Sequence, residues 1–182
     1  MKFLPTNIAD VYILEPEVYG DNRGYFMETF REVYFRREGI DVRFVQDNSS
    51  LSGKGTIRGL HYQAGDAVQA KLMMVSRGVI LDVAVDLRQR SNTYGKHVSV
   101  LLSEDNHRQL YIPEGFAHGF AVLSHEAVIH YKCSRYYDPE RERGLRWNDP
   151  YLGIDWMVTD PVLSEKDRIQ PLFNELRPGD LF

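Results

Sequence analysis

The sequence predicts an all-β fold, a jelly-roll barrel with short flanking helices, on three observations. Short runs rich in Val, Ile, Tyr and Phe recur along most of the chain, turns centred on Gly and Pro separate them, and only two short stretches keep helical spacing. At 182 residues, with 43% hydrophobic residues, the chain can bury one substantial core and is short for two, so a single domain over 1–182 is expected.

Taken in order, the strand-like runs are "DVYILEPEV", "VRFVQDNSSLS", "TIRGLHYQ", "KLMMVSRGVILDVAVDLR", "KHVSVLLS", "RQLYIPEGFAHGFAVL" and "AVIHYKCSRYY". "SRGVI" (76–80) predicts a hairpin turn at Gly78, and "TYGK" (93–96) predicts a second turn. The first helical stretch is 28–39, where Phe30, Val33 and Tyr34 keep helical spacing before Gly39; the second is 163–167, with Ser164 as cap. From about residue 138 the composition turns to Pro, Arg, Asp and Trp. A flank or lid packed on the barrel is expected there rather than a second domain.

Composition narrows the function. The 22 basic and 26 acidic residues are interspersed, giving a net charge of -4 with no basic stripe for a polyanion, so nucleic acid is not an expected partner. The single cysteine, Cys133, excludes an intrachain disulfide and a thiolate-clustered metal centre, and fits a reducing, cytoplasmic setting. Pro5, Thr6, Asn7 and Asp10 interrupt the N-terminal apolar residues, and no window approaches the ~20 apolar residues of a membrane span.

In "IPEGFAHGF" (112–120), Pro113 and Gly115 make a turn and Phe116, His118 and Phe120 share one face of the next strand. As structure alone this is a core strand with a hydrogen-bonded histidine. The P-x-G-x-x-H spacing also resembles the second metal motif of cupin barrels, which makes the expected barrel cupin-like. A metal site would need about three converging ligands. The first cupin motif should supply two histidines and a carboxylate, but here reads His61-Tyr62-Gln63, and the other histidines are scattered. No metal and no other cofactor is therefore expected.

Proton chemistry is the alternative. Lys71 alternates with Met73 and Val75, so period-two geometry sends it to an apolar inward face. Such a lysine is either a strand-end cation reaching solvent or a desolvated functional group. Asp82, Ala84 and Asp86 share a face that is polar on an open sheet, but in a barrel lines the lumen within reach of a histidine. Tyr131 is ordinary packing unless it faces a base, and Asp167 is an ordinary turn carboxylate unless it meets His61.

These motifs together resemble the dTDP-4-dehydrorhamnose 3,5-epimerases, also called dTDP-4-keto-6-deoxyglucose 3,5-epimerases. The resemblance runs through "EPEVYGDNRGYFMETF", "FVQDNSS", "IRGLHYQ", "DVAVDLRQRSNTYGK", "IPEGFAHGF", "YKCSRYYDPERERGLRWNDP", "GIDW" and "LSEKD", nearly the whole chain. It implies a metal-independent homodimer acting on a nucleotide-linked 4-keto sugar. By the same resemblance His61 is the base, Asp167 its carboxylate partner, Tyr131 the opposing acid and Lys71 the cation beside the enolate oxygen, with His118 lining the pocket. Arg23, Phe26, Glu28, Gln46, Asp47, Asn48, Arg58, Tyr137, Glu142 and Lys166 correspond to substrate-binding positions. Arg23, Phe26 and Glu28 would act on the neighbouring subunit's site. One departure is the loop "AGDAVQAK" (64–71), which lacks the proline common in the family but keeps Gln69 and Lys71.

Three other readings stay open on the sequence: an epimerase inverting C3 or C5 alone, a metal-dependent cupin oxygenase, and a barrel that merely binds sugars. "IRGLHYQ" adds a geometric problem. Arg58 and His61 are three residues apart, so a regular strand sends them to opposite faces. If both serve one site, a bulge or irregular turn is expected around Gly59, or else the site gathers Arg58 from the strand's rim.

Overall fold

The computed structural model describes residues 1–182, the side chain of Pro178 excepted. Thirteen strands run through the chain: β1 (Lys2–Pro5), β2 (Tyr12–Glu15), β3 (Val18–Asp21), β4 (Gly24–Met27), β5 (Gln46–Gly53), β6 (Ile57–Gln63), β7 (Lys71–Arg77), β8 (Val79–Asp86), β9 (His97–Ser103), β10 (Gln109–Ile112), β11 (Phe116–Val122), β12 (Glu126–Cys133) and β13 (Glu142–Gly144). Helix α1 spans Glu32–Arg37 and α2 spans Glu165–Arg168. A six-stranded sheet in the order β1-β2-β10-β7-β12-β5 faces a five-stranded sheet in the order β13-β6-β11-β8-β9, and β3 and β4 form a separate hairpin. This is the jelly-roll barrel the strand spacing predicts.

Side-chain alternation explains the layers. In β8, Ile80 and Ala84 point between the two sheets, where they meet Met73, Leu110, Phe120 and Ile129 from both sides. The alternate residues Leu81, Val83 and Val85 point outward, under Leu145, Leu152, Trp156 and Phe173 of the C-terminal region. That region therefore packs as a flank over the five-stranded sheet. It buries a second apolar layer, so β8 is buried on both faces.

A third cluster lies where Phe35 of α1 packs with Leu14, Leu72 and Tyr111 of the six-stranded sheet. Helix α1 is shorter than the 28–39 stretch predicts, and the residue it buries is Phe35, while Val33 is exposed. Gly39, at φ +76°, ends it: its N–H donates to the Arg36 carbonyl and that of Ile40 to the Phe35 carbonyl, a Schellman closure that consumes orphan carbonyls. Six residues were too few for periodicity to identify the buried face.

Two further expectations need correction. Gly78 does not close a hairpin. β7 pairs with β10 and β12, whereas β8 pairs with β9 and β11, so the chain crosses from one sheet to the other at Gly78. A Cβ there would lie 2.1 Å from the Glu126 carbonyl oxygen, so the glycine serves a sheet-to-sheet corner. "TYGK" does lie in a hairpin connection, between β8 and β9, where the Lys96 N–H donates to the Thr93 carbonyl. The irregular text after 138 hides β13, a three-residue strand on the edge of β6 that brings Glu142 opposite Gln63.

Candidate active site

The register around Gly59 resolves the parity problem. On β11, His118 pairs with His61 and Phe120 pairs with Arg58, so Gly59 and Leu60 together oppose Gly119 alone. That one-residue bulge turns Arg58 to the same side as His61, and both line one cavity of about 570 Å³. Gly59 has φ +125°, and a Cβ there would lie 2.5 Å from the Gly119 Cα and 2.8 Å from the His118 carbonyl oxygen. Only glycine on β6, facing glycine on β11, lets the backbones approach this closely. Arg58 is then fixed by its Nε donating to Ser52 Oγ at 2.9 Å.

His61 sits on β6 with Nε2 2.5 Å from Asp167 Oδ1. Asp167 is buried, and Ser164 caps α2 by accepting the Asp167 N–H, as predicted. Burial opposes ionisation of Asp167, but the hydrogen bonds from His61 and Ser164 and the charges of His61 and Lys166 outweigh it, holding the carboxyl below its ordinary range. An ionised Asp167 accepts, so Nε2 carries the proton. Nδ1, which has no hydrogen bond among the described residues, is left as the basic atom.

Tyr131 comes from β12 in the opposite sheet and lines the same cavity. Burial, then Cys133, pushes its phenol up against the opposing charge of Arg58, so it keeps its proton at neutral pH. Lys71, at the start of β7 and paired in register with Cys133, has no hydrogen bond or ion pair among the described residues. Desolvation lowers its ammonium, with Cys133, Asp82 and Glu142 resisting the shift. His118 is buried with Nε2 2.8 Å from Asp82 Oδ1, so the Asp82 face lines the lumen. Burial depresses the His118 imidazole despite Asp82, aided by Lys71 and His61.

A second cavity, of about 320 Å³, adjoins the first, and His61, Lys71 and Tyr131 line both. Arg58 and His118 belong to the larger lobe; Gln46, Asn48, Tyr137 and Glu142 belong to the smaller. Gln46 accepts the Tyr137 N–H, Tyr137 donates its hydroxyl to Glu142 at 2.7 Å, and Lys166 pairs with Glu142 from α2. Those two partners hold the Glu142 carboxyl low against its own burial. In the loop that departs from the family pattern, Gln69 is buried and its amide donates to the Arg135 carbonyl at 2.8 Å, so the strand entry at Lys71 stays anchored.

Four predicted residues are not gathered here. Asp47 alternates to the outer face of the six-stranded sheet, where it pairs with Lys132. Arg23 pairs with Asp21, Glu28 with Arg31, and Phe26 is 70% exposed; all three lie in or beside the β3–β4 hairpin, away from this chain's cavity. Sequence reasoning missed Ser52 as the support of Arg58, although Asn48, Ser50 and Ser52 alternate as a polar inward face. Among the described residues, no group of three or more His, Cys, Asp or Glu is placed to hold a metal ion.

Substituting Lys71 by Met separates its charge from its bulk. Turnover should fall about 10²–10³-fold through loss of a preorganised cation, with thermal stability equal or higher because an unpaired, desolvated charge is removed. Parallel kinetics and melting curves check this; a large drop in stability would show that Lys71 is structural.

Paired in this way, a carboxylate-held imidazole on one sheet facing a protonated phenol and an unpaired lysine on the other defines an acid–base isomerase working beside a carbonyl. The family follows from comparison: residues 5–175 match the model of the dTDP-4-dehydrorhamnose 3,5-epimerase family, and the chain belongs to it. It is 54% identical to the dTDP-4-dehydrorhamnose 3,5-epimerase of Methanothermobacter thermautotrophicus over 92% of this chain and 91% of that one. Among solved structures, it is similar to the dTDP-6-deoxy-D-glucose-3,5-epimerase of Legionella pneumophila, in complex with dTDP-4-keto-L-rhamnose. That match has a TM-score of 0.96 at 47% identity, covering 99% of this chain and 96% of that chain. It is also similar to ChmJ, a 3'-monoepimerase of Streptomyces bikiniensis in complex with dTDP-quinovose, with a TM-score of 0.87 at 35% identity, covering 92% and 86% of the two chains.

Proposed function

We propose that this chain converts dTDP-4-dehydro-6-deoxy-D-glucose into dTDP-4-dehydro-L-rhamnose by inverting C3 and C5. The observation that carries this reading is the position of His61, Lys71 and Tyr131 on the shared border of two cavities, with base and acid on opposite sheets. The ketone at C4 acidifies the C–H bonds at C3 and C5. His61 Nδ1 takes one of these protons, the electron pair moves into the C4 oxygen, and Lys71 stabilises the resulting enolate. Tyr131 then delivers a proton to the other face of the same carbon, and exchange with solvent resets both groups before the second centre reacts.

Arg58 suits the diphosphate because a guanidinium donates two parallel hydrogen bonds. Gln46, Asn48, Glu142 and, through Glu142, Lys166 shape the smaller lobe for the nucleoside end, and Tyr137 supplies a ring to stack on thymine. Every step uses protein groups alone, so no metal or cofactor is required.

The chain acts as a homodimer in which Arg23, Phe26, Glu28 and Asp47 serve the partner's site or the contact with it. Support comes from the exposed Val18, Tyr19, Tyr25 and Phe26 on a hairpin that lines neither lobe of its own chain's site. No helix is long and apolar enough to cross a membrane, and the lone unpaired Cys133 fits the cytoplasm. Because ChmJ shares the fold, inversion of one centre is the competing reading. Proton NMR of the product decides: ring coupling constants of the L-rhamno configuration are expected, and a product altered at one carbon only would overturn the double epimerisation.

A further inference from the structure

We infer that Ser164 is a positioning residue for the base: beyond capping α2, its hydroxyl orients the Asp167 carboxylate so that one oxygen alone is left for His61. This rests on the acid–base reading above. Ser164 Oγ accepts the Asp167 N–H at 3.1 Å, which occupies a lone pair. The hydroxyl hydrogen is thereby free to point elsewhere, and Oγ lies 2.9 Å from Asp167 Oδ2. A carboxylate accepts and does not donate, so Ser164 is the donor. Oδ2 is thus satisfied within the helix turn, and Oδ1 faces His61 Nε2.

The geometry has a chemical consequence. A free carboxylate can rotate and offer either oxygen, but one fastened at Oδ2 holds the imidazole in one orientation and one tautomer. Helix α2 is a single turn of four residues and has little rigidity of its own. The bonds between Ser164 and Asp167 close that turn and aim the carboxylate at the β6 strand. The titratable groups around Asp167 and His61 are Lys166 on the same helix and Glu142 on β13, which engage each other, and His118 on β11, which is held by Asp82; Ser164 is the neutral partner of Asp167.

Two substitutions separate capping from positioning. Aspartate caps a helix about as well as serine, since its oxygen also accepts the N–H. It cannot donate to Asp167, however, and it brings a like charge beside it. Ser164→Asp should therefore stay folded with its cap intact, at a modestly lower melting temperature, but lose kcat roughly ten-fold or more well below that temperature, the scale of a hydrogen bond to a charged group. Ser164→Thr, which keeps the hydroxyl, should restore both.

The pH profile gives a further readout. The Asp167 carboxyl is held below its ordinary range in part by Ser164, so removing that donor raises it. This moves the acidic limb of kcat/KM upward in Ser164→Ala and further upward in Ser164→Asp, where a like charge adds to the lost donor. Unchanged kcat and pH profile in Ser164→Asp, with a folded protein, would overturn the inference without touching the proposed reaction. Loss of all activity in wild type toward the 4-keto sugar would instead overturn the reaction itself.

Discussion

His61→Ala is expected to lose turnover by about 10²–10⁴-fold, the contribution of one positioned base, while dTDP binding stays unchanged within experimental error. The reasoning is local. His61 lies at the border of the two lobes rather than deep in either, and its one side-chain hydrogen-bond partner among the described residues is Asp167. Arg58, held by Ser52, and Gln46, held against Tyr137, do not depend on it. Turnover by NMR and dTDP titration by calorimetry check the two halves separately. Loss of dTDP binding in step with turnover would make His61 a binding residue instead.

Gly59→Ala is expected to destabilise the protein by about 3 kcal/mol or more, through left-handed backbone strain and an overpacked contact. For a chain of this size that lowers the melting temperature by roughly 6–12 °C. The new methyl would strike backbone on β11, which cannot rotate away as a side chain can. Relief would come from shifting β6 against β11, which moves His61 and Arg58 together. Turnover of the folded fraction should therefore fall as well. A folded, fully active Gly59→Ala protein would show that the bulge is not what brings the two residues to one side.

Much of the fold was legible because strand alternation is a strong physical signal wherever a face is buried. Phe116, His118 and Phe120 on one face, Lys71 with Met73 and Val75, and the Ser164 cap all lie where spacing placed them. The failures have a common cause, since local spacing does not say which strand a segment will pair with. Gly78 looks like a hairpin glycine, yet its strands enter different sheets. The three residues of β13 exist because the edge of β6 is there to receive them.

The site was legible to a similar depth. The parity conflict between Arg58 and His61 pointed to a bulge at Gly59 or to a site gathering Arg58 from the strand's rim, and the register shift on β11 selects the bulge. The meeting of His61 with Asp167, 106 positions apart, rested on resemblance, because nothing local links β6 to α2. Nor could spacing tell whether Asp82 faces solvent or His118, which depended on closure of the barrel. Arg23, Phe26 and Glu28 lie in or beside the β3–β4 hairpin and line neither lobe, so their assignment to a site rests on resemblance alone.

The central claim is that His61 and Tyr131 exchange protons at two carbons flanking one ketone. The direct measurement is the deuterium content of product formed in D₂O from dTDP-4-dehydro-6-deoxy-D-glucose, counted at each carbon by NMR and mass spectrometry. One solvent deuterium at C3 and one at C5 are predicted for the wild-type protein, and none above background at either for His61→Ala over the time in which wild type completes its turnover. Deuterium at one carbon only, or exchange that persists at both without His61, would contradict it.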